Sequence, residues 1–165
     1  MVGHRQDIPW GIGALLMGVT LVVALVAATL TGMGTDPWYA ALDKPLLTPP
    51  GVADEIIWVF LFSLMAAGAL LVAFEAGEWR YARSPAGLYV CTLMIHLAWR
   101  SALFGFHEPA VALVILIALW LAIFAMMQDF ARYSLQAAWL QLPQLVWLTF
   151  CIYQGGFIWL ANRAT

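Results

Sequence analysis

Residues 38–51 read WYAALDKPLLTPPG and form a polar, proline-rich stretch between two segments that are almost wholly apolar. Trp38 and Tyr39 carry rings with one polar edge, a type of side chain that collects at membrane–water interfaces. Pro49 and Pro50 stand directly before a long apolar run, and proline is well suited to the first turn of a helix. This stretch predicts a loop at a membrane surface that leads into a transmembrane helix. Both an ordinary interfacial turn and the lid of a ligand site fit it.

The composition places the chain in a membrane. Of its 165 residues, 64% are hydrophobic and 10% are charged, and the mean hydropathy is +0.89. So few polar groups could not cover the apolar surface in water. The formal net charge of −2 and the scattered Lys and Arg residues provide no basic patch, so no nucleic-acid partner is expected. Cys91 and Cys151 lie within apolar runs without a CxxC pattern, which favours packing roles over a disulfide framework or a metal site.

Five apolar segments are long enough to cross a bilayer, which predicts an all-α integral membrane protein. We expect these spans, within one domain over residues 1–165, at about residues 10–33, 55–74, 86–106, 109–127 and 135–161. The first segment also resembles a signal peptide, but its apolar core exceeds the roughly 7–15 residues typical of one, so we interpret it as a retained helix. Asp54 and Glu55 stand near the positive end of the second helix. Pro143 is expected to kink the fifth span.

The basic residues indicate how the five spans are oriented. An odd number of spans puts the termini on opposite sides of the membrane. The N-terminal side would then hold Arg5, Arg80, Arg83 and Arg132. The other side would hold Lys44 and Arg163, with Arg100 left inside the membrane. Because cytoplasmic loops carry the excess of Lys and Arg, we expect a bacterial inner-membrane protein with a cytoplasmic N-terminus and an outward-facing first loop.

The first loop and a series of aromatic residues resemble the TspO/MBR family, the tryptophan-rich sensory proteins related to the mitochondrial translocator protein. Residues 38–51 match the family pattern WYxxLxKPxxxPP. Further matches follow in the family's order, and they are Trp58, Trp99, Phe104, Pro143 and Trp147. The resemblance covers essentially the whole chain, and nine tryptophans suit the family name.

The resemblance implies a five-helix bundle, often a homodimer, that binds porphyrin or haem in a pocket beneath the first loop. Some members bind cholesterol-like lipids or benzodiazepine-type drugs. The implied role is a sensor or regulator of tetrapyrrole or stress responses, with porphyrin or haem as ligand and no required cofactor. The alternatives are a light- and oxygen-dependent porphyrin-degrading enzyme that uses Trp58 and Trp147, and a transporter of porphyrin or lipid. No nucleophile set, acid–base pair, metal cluster or inverted repeat in the sequence favours either alternative.

Helical geometry groups polar residues of two spans onto one face each. At about 100° per residue, Gln144 and Gln154 share a face of the fifth span, and His96 and Arg100 share a face of the third. Polar and ionisable groups are costly towards lipid, so both faces should point into the bundle. The predicted ligand-binding residues are Trp38, Tyr39, Pro45, Trp58, Phe62, His96, Trp99, Arg100, Gln144, Trp147 and Cys151.

Three of these residues have alternative roles. His96 replaces the asparagine usual in the family, and its imidazole would either ligate haem iron or titrate, or bond a carbonyl of a neighbouring helix. Arg100 would either pair with ligand propionates or extend to the membrane surface. Trp147 would either line the pocket or pack between helices. The other departures from the family pattern, which predict an altered pocket, are Leu47, Gln144 and Gly155.

Overall fold

The computed structural model describes residues 10–31, 37–77 and 79–163, apart from the side chains of Trp10, Ile12 and residues 79–83. Within these residues the chain forms helices and no β-strand. The helices are α1 Trp10–Leu30, α2 Pro37–Ala41, α3 Gly51–Ala76, α4 Trp79–Arg100, α5 Pro109–Phe130, α6 Leu135–Trp139 and α7 Leu142–Asn162. A π-helical turn, Ser101–Gly105, continues α4.

Five of the helical segments are long and apolar enough to cross a membrane, so the predicted all-α membrane fold is confirmed. The spans cover Gly13–Leu30, Gly51–Ala76, Ser84–Gly105, Pro109–Phe130 and Leu135–Asn162. The second span begins at Gly51, earlier than expected, because Pro50 holds the extended backbone (φ −57°, ψ 145°) that precedes a helix. Gly77 ends the same helix with φ +67°, a conformation that favours glycine.

The fifth span is interrupted just ahead of Pro143, so the disturbance expected at this proline takes the form of a break between two helices. The short helix α6 ends at Trp139, and α7 starts at Leu142 with the proline in its first turn. Proline is tolerated there because the first-turn N–H groups have no partner within the helix. The interruption places Gln141 against Gly68 of α3, where a Cβ atom would clash with the Gln141 Nε2 atom and lie 3.0 Å from the Ala137 carbonyl oxygen.

The core lies between the spans, where side chains from different helices are completely buried. The residues with 0% exposure include Met65 of α3, Leu93 of α4, Ile123 of α5 and Leu148 of α7. The outward faces instead carry exposed aliphatic side chains, as lipid contact requires.

Of the residues that predict the orientation, Arg5 and the side chains of Arg80 and Arg83 lie outside the described residues.

Candidate functional site

A cavity of about 470 Å³ lies beneath the first loop, between that loop and α3, α4, α5 and α7. Its size falls within the roughly 300–1,000 Å³ of small-molecule sites. The aromatic residues of its lining are Tyr39, Trp99 and Phe104. The aliphatic lining includes Leu103, Leu113, Leu116 and Ile158. Ala40 and Pro50 also line the cavity and are exposed, so its edge reaches the protein surface.

The last helix holds the first loop over this cavity. The side-chain amide of Gln154 donates to the Tyr39 hydroxyl at 3.0 Å and to Thr48 Oγ1 at 3.2 Å. About two turns further along α7, Asn162 bonds both the backbone N–H (3.0 Å) and the carbonyl (3.1 Å) of Asp43. Burial, reinforced by the charge of Asp54, raises the pKa of Tyr39 above its ordinary value. Its hydroxyl is therefore neutral at pH 7 and acts as a hydrogen-bonding group.

Lys44 fixes the shape of the loop. Its ammonium group donates to the carbonyls of Tyr39, Ala40 and Leu42, at 2.6, 3.1 and 3.0 Å. The same Nζ atom lies 4.9 Å from the centroid of the Tyr39 ring. These three bonds engage all three N–H groups of a lysine. The positive charge is thus directed at the loop's own backbone, although the side chain lines the cavity.

An ion pair stands behind one wall of the cavity, because Glu55 lines the cavity and its partner Arg100 lies outside the lining. Arg100 Nη1 lies 3.1 Å from Glu55 Oε1, and the two side chains are 2% and 19% exposed. Thr31 Oγ1 donates to the same carboxylate oxygen at 2.6 Å. The Arg100 guanidinium also lies near the rings of Trp58 (4.9 Å) and Trp99 (5.5 Å). Arg100 therefore stays inside the bundle instead of extending to the membrane surface, and its role towards propionates stays a prediction.

A second group of predicted residues forms a buried cluster that is not part of the cavity lining. The His96 and Gln144 side chains are joined by a 2.8 Å hydrogen bond between their Nε2 atoms. The imidazole also contacts the rings of Trp58 (5.5 Å) and Phe62 (5.1 Å). Among the described residues His96 Nδ1 has no hydrogen-bond partner. Because the amide nitrogen of Gln144 only donates, His96 Nε2 accepts this bond and the proton of the neutral ring lies on Nδ1. The Nε2 lone pair that could ligate iron is therefore occupied.

Trp99 connects this cluster to the cavity, because it lines the cavity and its ring centroid lies 5.3 Å from that of Trp58. The predicted residues that line the cavity are Tyr39, Pro45, Trp99 and Cys151. Trp38 lies outside the lining and stacks on His107 with a centroid distance of 4.2 Å. Trp147 also lies outside it and contacts Phe150 at 5.2 Å. The predicted roles of these residues in ligand binding stay predictions.

Sequence reasoning did not include the two acidic residues of the lining among the predicted site residues. Asp54 and Glu55 lie near the start of α3 and both line the cavity. Two adjacent carboxylates in an apolar chain with few charges could have indicated a site. The same pair is also favourable at the start of a helix, so it did not identify one. The π-helical turn was missed as well. In this turn the Phe106 N–H donates to the Ser101 carbonyl at 2.9 Å. Phe104 lies within the turn and lines the cavity.

Residues 16–160 match the TspO/MBR family, which agrees with the five spans and the loop pattern of residues 38–51. The chain belongs to this family. It is 32% identical over 142 residues to the tryptophan-rich protein TspO of Chlorobaculum tepidum, a match that covers 85% of this chain and 89% of the relative. It is 34% identical over 133 residues to the translocator protein of Homo sapiens, with 76% and 79% covered. Membership of the TspO/MBR family confirms the predicted resemblance.

Proposed function

We propose that this TspO/MBR protein binds a tetrapyrrole, either porphyrin or haem, in the cavity beneath the first loop and acts as a sensor or regulator of tetrapyrrole or stress responses. The observation that carries the proposal is the cavity of about 470 Å³ with three aromatic rings in its lining. A flat, largely apolar macrocycle matches such walls, because ring faces and aliphatic side chains both gain from contact with it. Family membership supports the same choice.

The polar end of the ligand also has a preferred direction. Tetrapyrrole propionates are anionic, and the wall formed by Asp54 and Glu55 would repel them. We therefore place the propionates towards the surface edge of the cavity, where Ala40 and Pro50 are exposed to solvent. In this orientation the macrocycle lies against Trp99 and Phe104, and the carboxylates of the ligand remain hydrated.

A change at Gly155 tests this site directly. Gly155 lines the cavity, and a Cβ atom there would meet Leu113 at an ordinary 3.5 Å, so a larger side chain would extend into free space. The neighbouring Gly156 lies outside the lining and has no atom within 4 Å of its Cβ position. Gly155→Leu and Gly156→Leu are therefore matched changes in one helix, of which only the first fills the cavity.

The experiment is a dark titration of detergent-purified protein with protoporphyrin IX and with haem, followed by tryptophan quenching. A leucine at residue 155 adds four carbon atoms. If each fills about the 30 Å³ of one water molecule, the side chain takes up roughly 120 Å³, about a quarter of the cavity. We expect saturable binding by the wild type and Gly156→Leu, and at least tenfold weaker binding by Gly155→Leu. Equal affinity in all three proteins, or no saturable binding by the wild type, would contradict the proposal.

A second candidate function, light- and oxygen-dependent degradation of the bound porphyrin, is favoured by the contact between Trp58 and Trp99. Trp99 lines the cavity, so an electron or radical formed next to the ligand has an adjacent indole to move to. Trp147, the other predicted partner, is outside the lining. Illumination of the complex in air, with the Soret band followed over time, distinguishes the two functions. Loss of the band that slows in Trp58→Phe supports degradation, whereas a rate equal to that of free porphyrin supports binding alone.

The proposed location is a bacterial inner membrane, with the first loop outside and the N-terminus in the cytoplasm. Leu46 is fully exposed at the tip of this loop and provides a labelling position. In a Cys91→Ser, Cys151→Ser background, Leu46→Cys should react with a membrane-impermeant maleimide on intact spheroplasts. Labelling only after lysis would place the loop, and with it the C-terminal end of α7, on the cytoplasmic side.

A further inference from the structure

We infer that the cavity also accepts an organic cation, a protonated amine carried on an apolar or aromatic body, with Asp54 as its anionic partner. The inference shares only the cavity with the proposed function. It concerns a ligand of opposite charge to a tetrapyrrole with two propionates. Three features of the cavity carry it: the engagement of its basic side chain, the remaining acceptor capacity of Asp54, and the aromatic rings beside them.

The first feature is that the cavity has little to offer an anion. Among the described residues that line it, Lys44 is the only basic one. Its three N–H groups are all donated to backbone carbonyls of the first loop. Arg100 is not part of the lining and pairs with Glu55. A ligand carboxylate would therefore have to displace an existing bond in order to gain a charged donor.

The second feature is that one carboxylate of the lining has no ion-pair partner among the described residues. Glu55 accepts from both Thr31 and Arg100. Among the described residues Asp54 accepts from the side chain of Trp58, and the charge of Arg100 acts on it without a direct ion pair. Within the part of the chain that the structure describes, Asp54 has no basic group within 4 Å. A carboxylate has about four acceptor positions, so most of the capacity of Asp54 remains for a ligand. An ammonium group would use it through charge-assisted hydrogen bonds.

The third feature is the set of rings. Tyr39, Trp99 and Phe104 line the same cavity, and the Tyr39 and Phe104 centroids are 5.2 Å apart at an angle of 56°. Aromatic faces attract cations through their quadrupole, and several rings beside a carboxylate form a common recognition site for ammonium groups. The aliphatic lining, which includes Leu116 and Ile158, would contact the apolar body of the ligand.

The test compares a cation with a neutral molecule of the same shape. The probes are 4-phenylbutylamine, which is protonated at pH 7, and 4-phenylbutanol, both titrated into the detergent-purified full-length protein by calorimetry. The variants are Asp54→Asn, which removes the charge but keeps the shape, and Asp43→Asn, an exposed loop carboxylate outside the lining. Thermal unfolding and gel filtration establish that each variant is folded.

We expect the amine to bind the wild type and Asp43→Asn alike, and Asp54→Asn at least about tenfold more weakly, the range of a hydrogen bond to a charged group. The alcohol should bind all three with the same low affinity. Gly155→Leu should weaken the amine as well, which places the amine in this cavity. Equal amine affinity in wild type and Asp54→Asn, or equal affinity for amine and alcohol, would overturn the inference. If Asp54→Asn does not fold, the amine–alcohol comparison in the wild type and in Gly155→Leu decides.

Protoporphyrin IX titrated into the same proteins separates this inference from the proposed function. Removal of the Asp54 charge should leave tetrapyrrole binding unchanged or strengthen it, because the propionates are anionic. Porphyrin binding without Asp54-dependent amine binding overturns the inference and leaves the proposed function standing. Asp54-dependent amine binding without porphyrin binding supports the inference and contradicts the proposed tetrapyrrole-binding function.

Discussion

The ion pair between Glu55 and Arg100 makes a quantitative prediction about stability. Substitution of Glu55 by Gln keeps the shape of the side chain but leaves the guanidinium of Arg100, which is only 2% exposed, without its counter-charge. Removal of one partner from a fully buried pair costs about 3–5 kcal/mol. Here the carboxylate is 19% exposed and the amide oxygen of Gln can still accept from Arg100 and Thr31. We therefore expect a loss of about 2 kcal/mol in the free energy of unfolding.

Thermal unfolding of the protein in detergent, followed by circular dichroism, measures this loss. For a chain of this length, 1 kcal/mol corresponds to roughly 2–4 °C in Tm, so Glu55→Gln should lower Tm by about 4–8 °C. The control is Asp129→Asn, which removes a pair with Arg132 at 3.6 Å whose arginine side chain is 77% exposed. Exposed pairs contribute little, so Tm should change by less than about 2 °C.

A double-mutant cycle gives the result that would refute this reasoning. Arg100→Met removes the buried cation, and Glu55→Gln should then cost far less in that background, because no unpaired charge remains. If Glu55→Gln lowers Tm equally in both backgrounds, the two side chains are not coupled, and the buried ion pair does not stabilise the cavity wall.

Three further predictions follow from single contacts. Gly68→Ala should lower Tm by several degrees, because its Cβ would clash with Gln141 Nε2 and lie 3.0 Å from the backbone oxygen of Ala137 in α6. Gly18→Ala, with no atom within 4 Å, should leave Tm nearly unchanged. Equal shifts would contradict the close packing of α3 on α6. His96→Asn should leave the position of the Soret band of bound haem unchanged, because His96 lies outside the lining and its Nε2 atom is bonded to Gln144. A shifted band would mean that the imidazole reaches the iron. Gln154→Ala should speed porphyrin dissociation in stopped-flow experiments, because the first loop loses its bonds from Gln154 to Tyr39 and Thr48. An unchanged rate would mean that these two hydrogen bonds do not retain the ligand.

Much of the fold was predictable because the signals for it are local. The length of each apolar run and the charged or proline-rich stretches between runs are read from neighbouring residues, and they predicted five spans. The position of Pro143 relative to the helix start was not predictable in this way. Whether a proline kinks a helix or begins one also depends on tertiary packing, and here the interruption packs Gln141 against Gly68 of α3.

The candidate site was likewise predictable only where its signals are local. The sequence by itself determined that polar faces on two spans and a WYxxLxKPxxxPP loop lie in a membrane protein of this family, since helical periodicity and the motif need no partner. Only the tertiary structure decided which of those residues meet. Glu55 and Arg100 are 45 positions apart and become a pair because two helices bring them together. The same packing separates His96 from the cavity and places Asp54 in its wall, because contact between distant residues follows from how helices cross, which residue spacing along one helix does not encode.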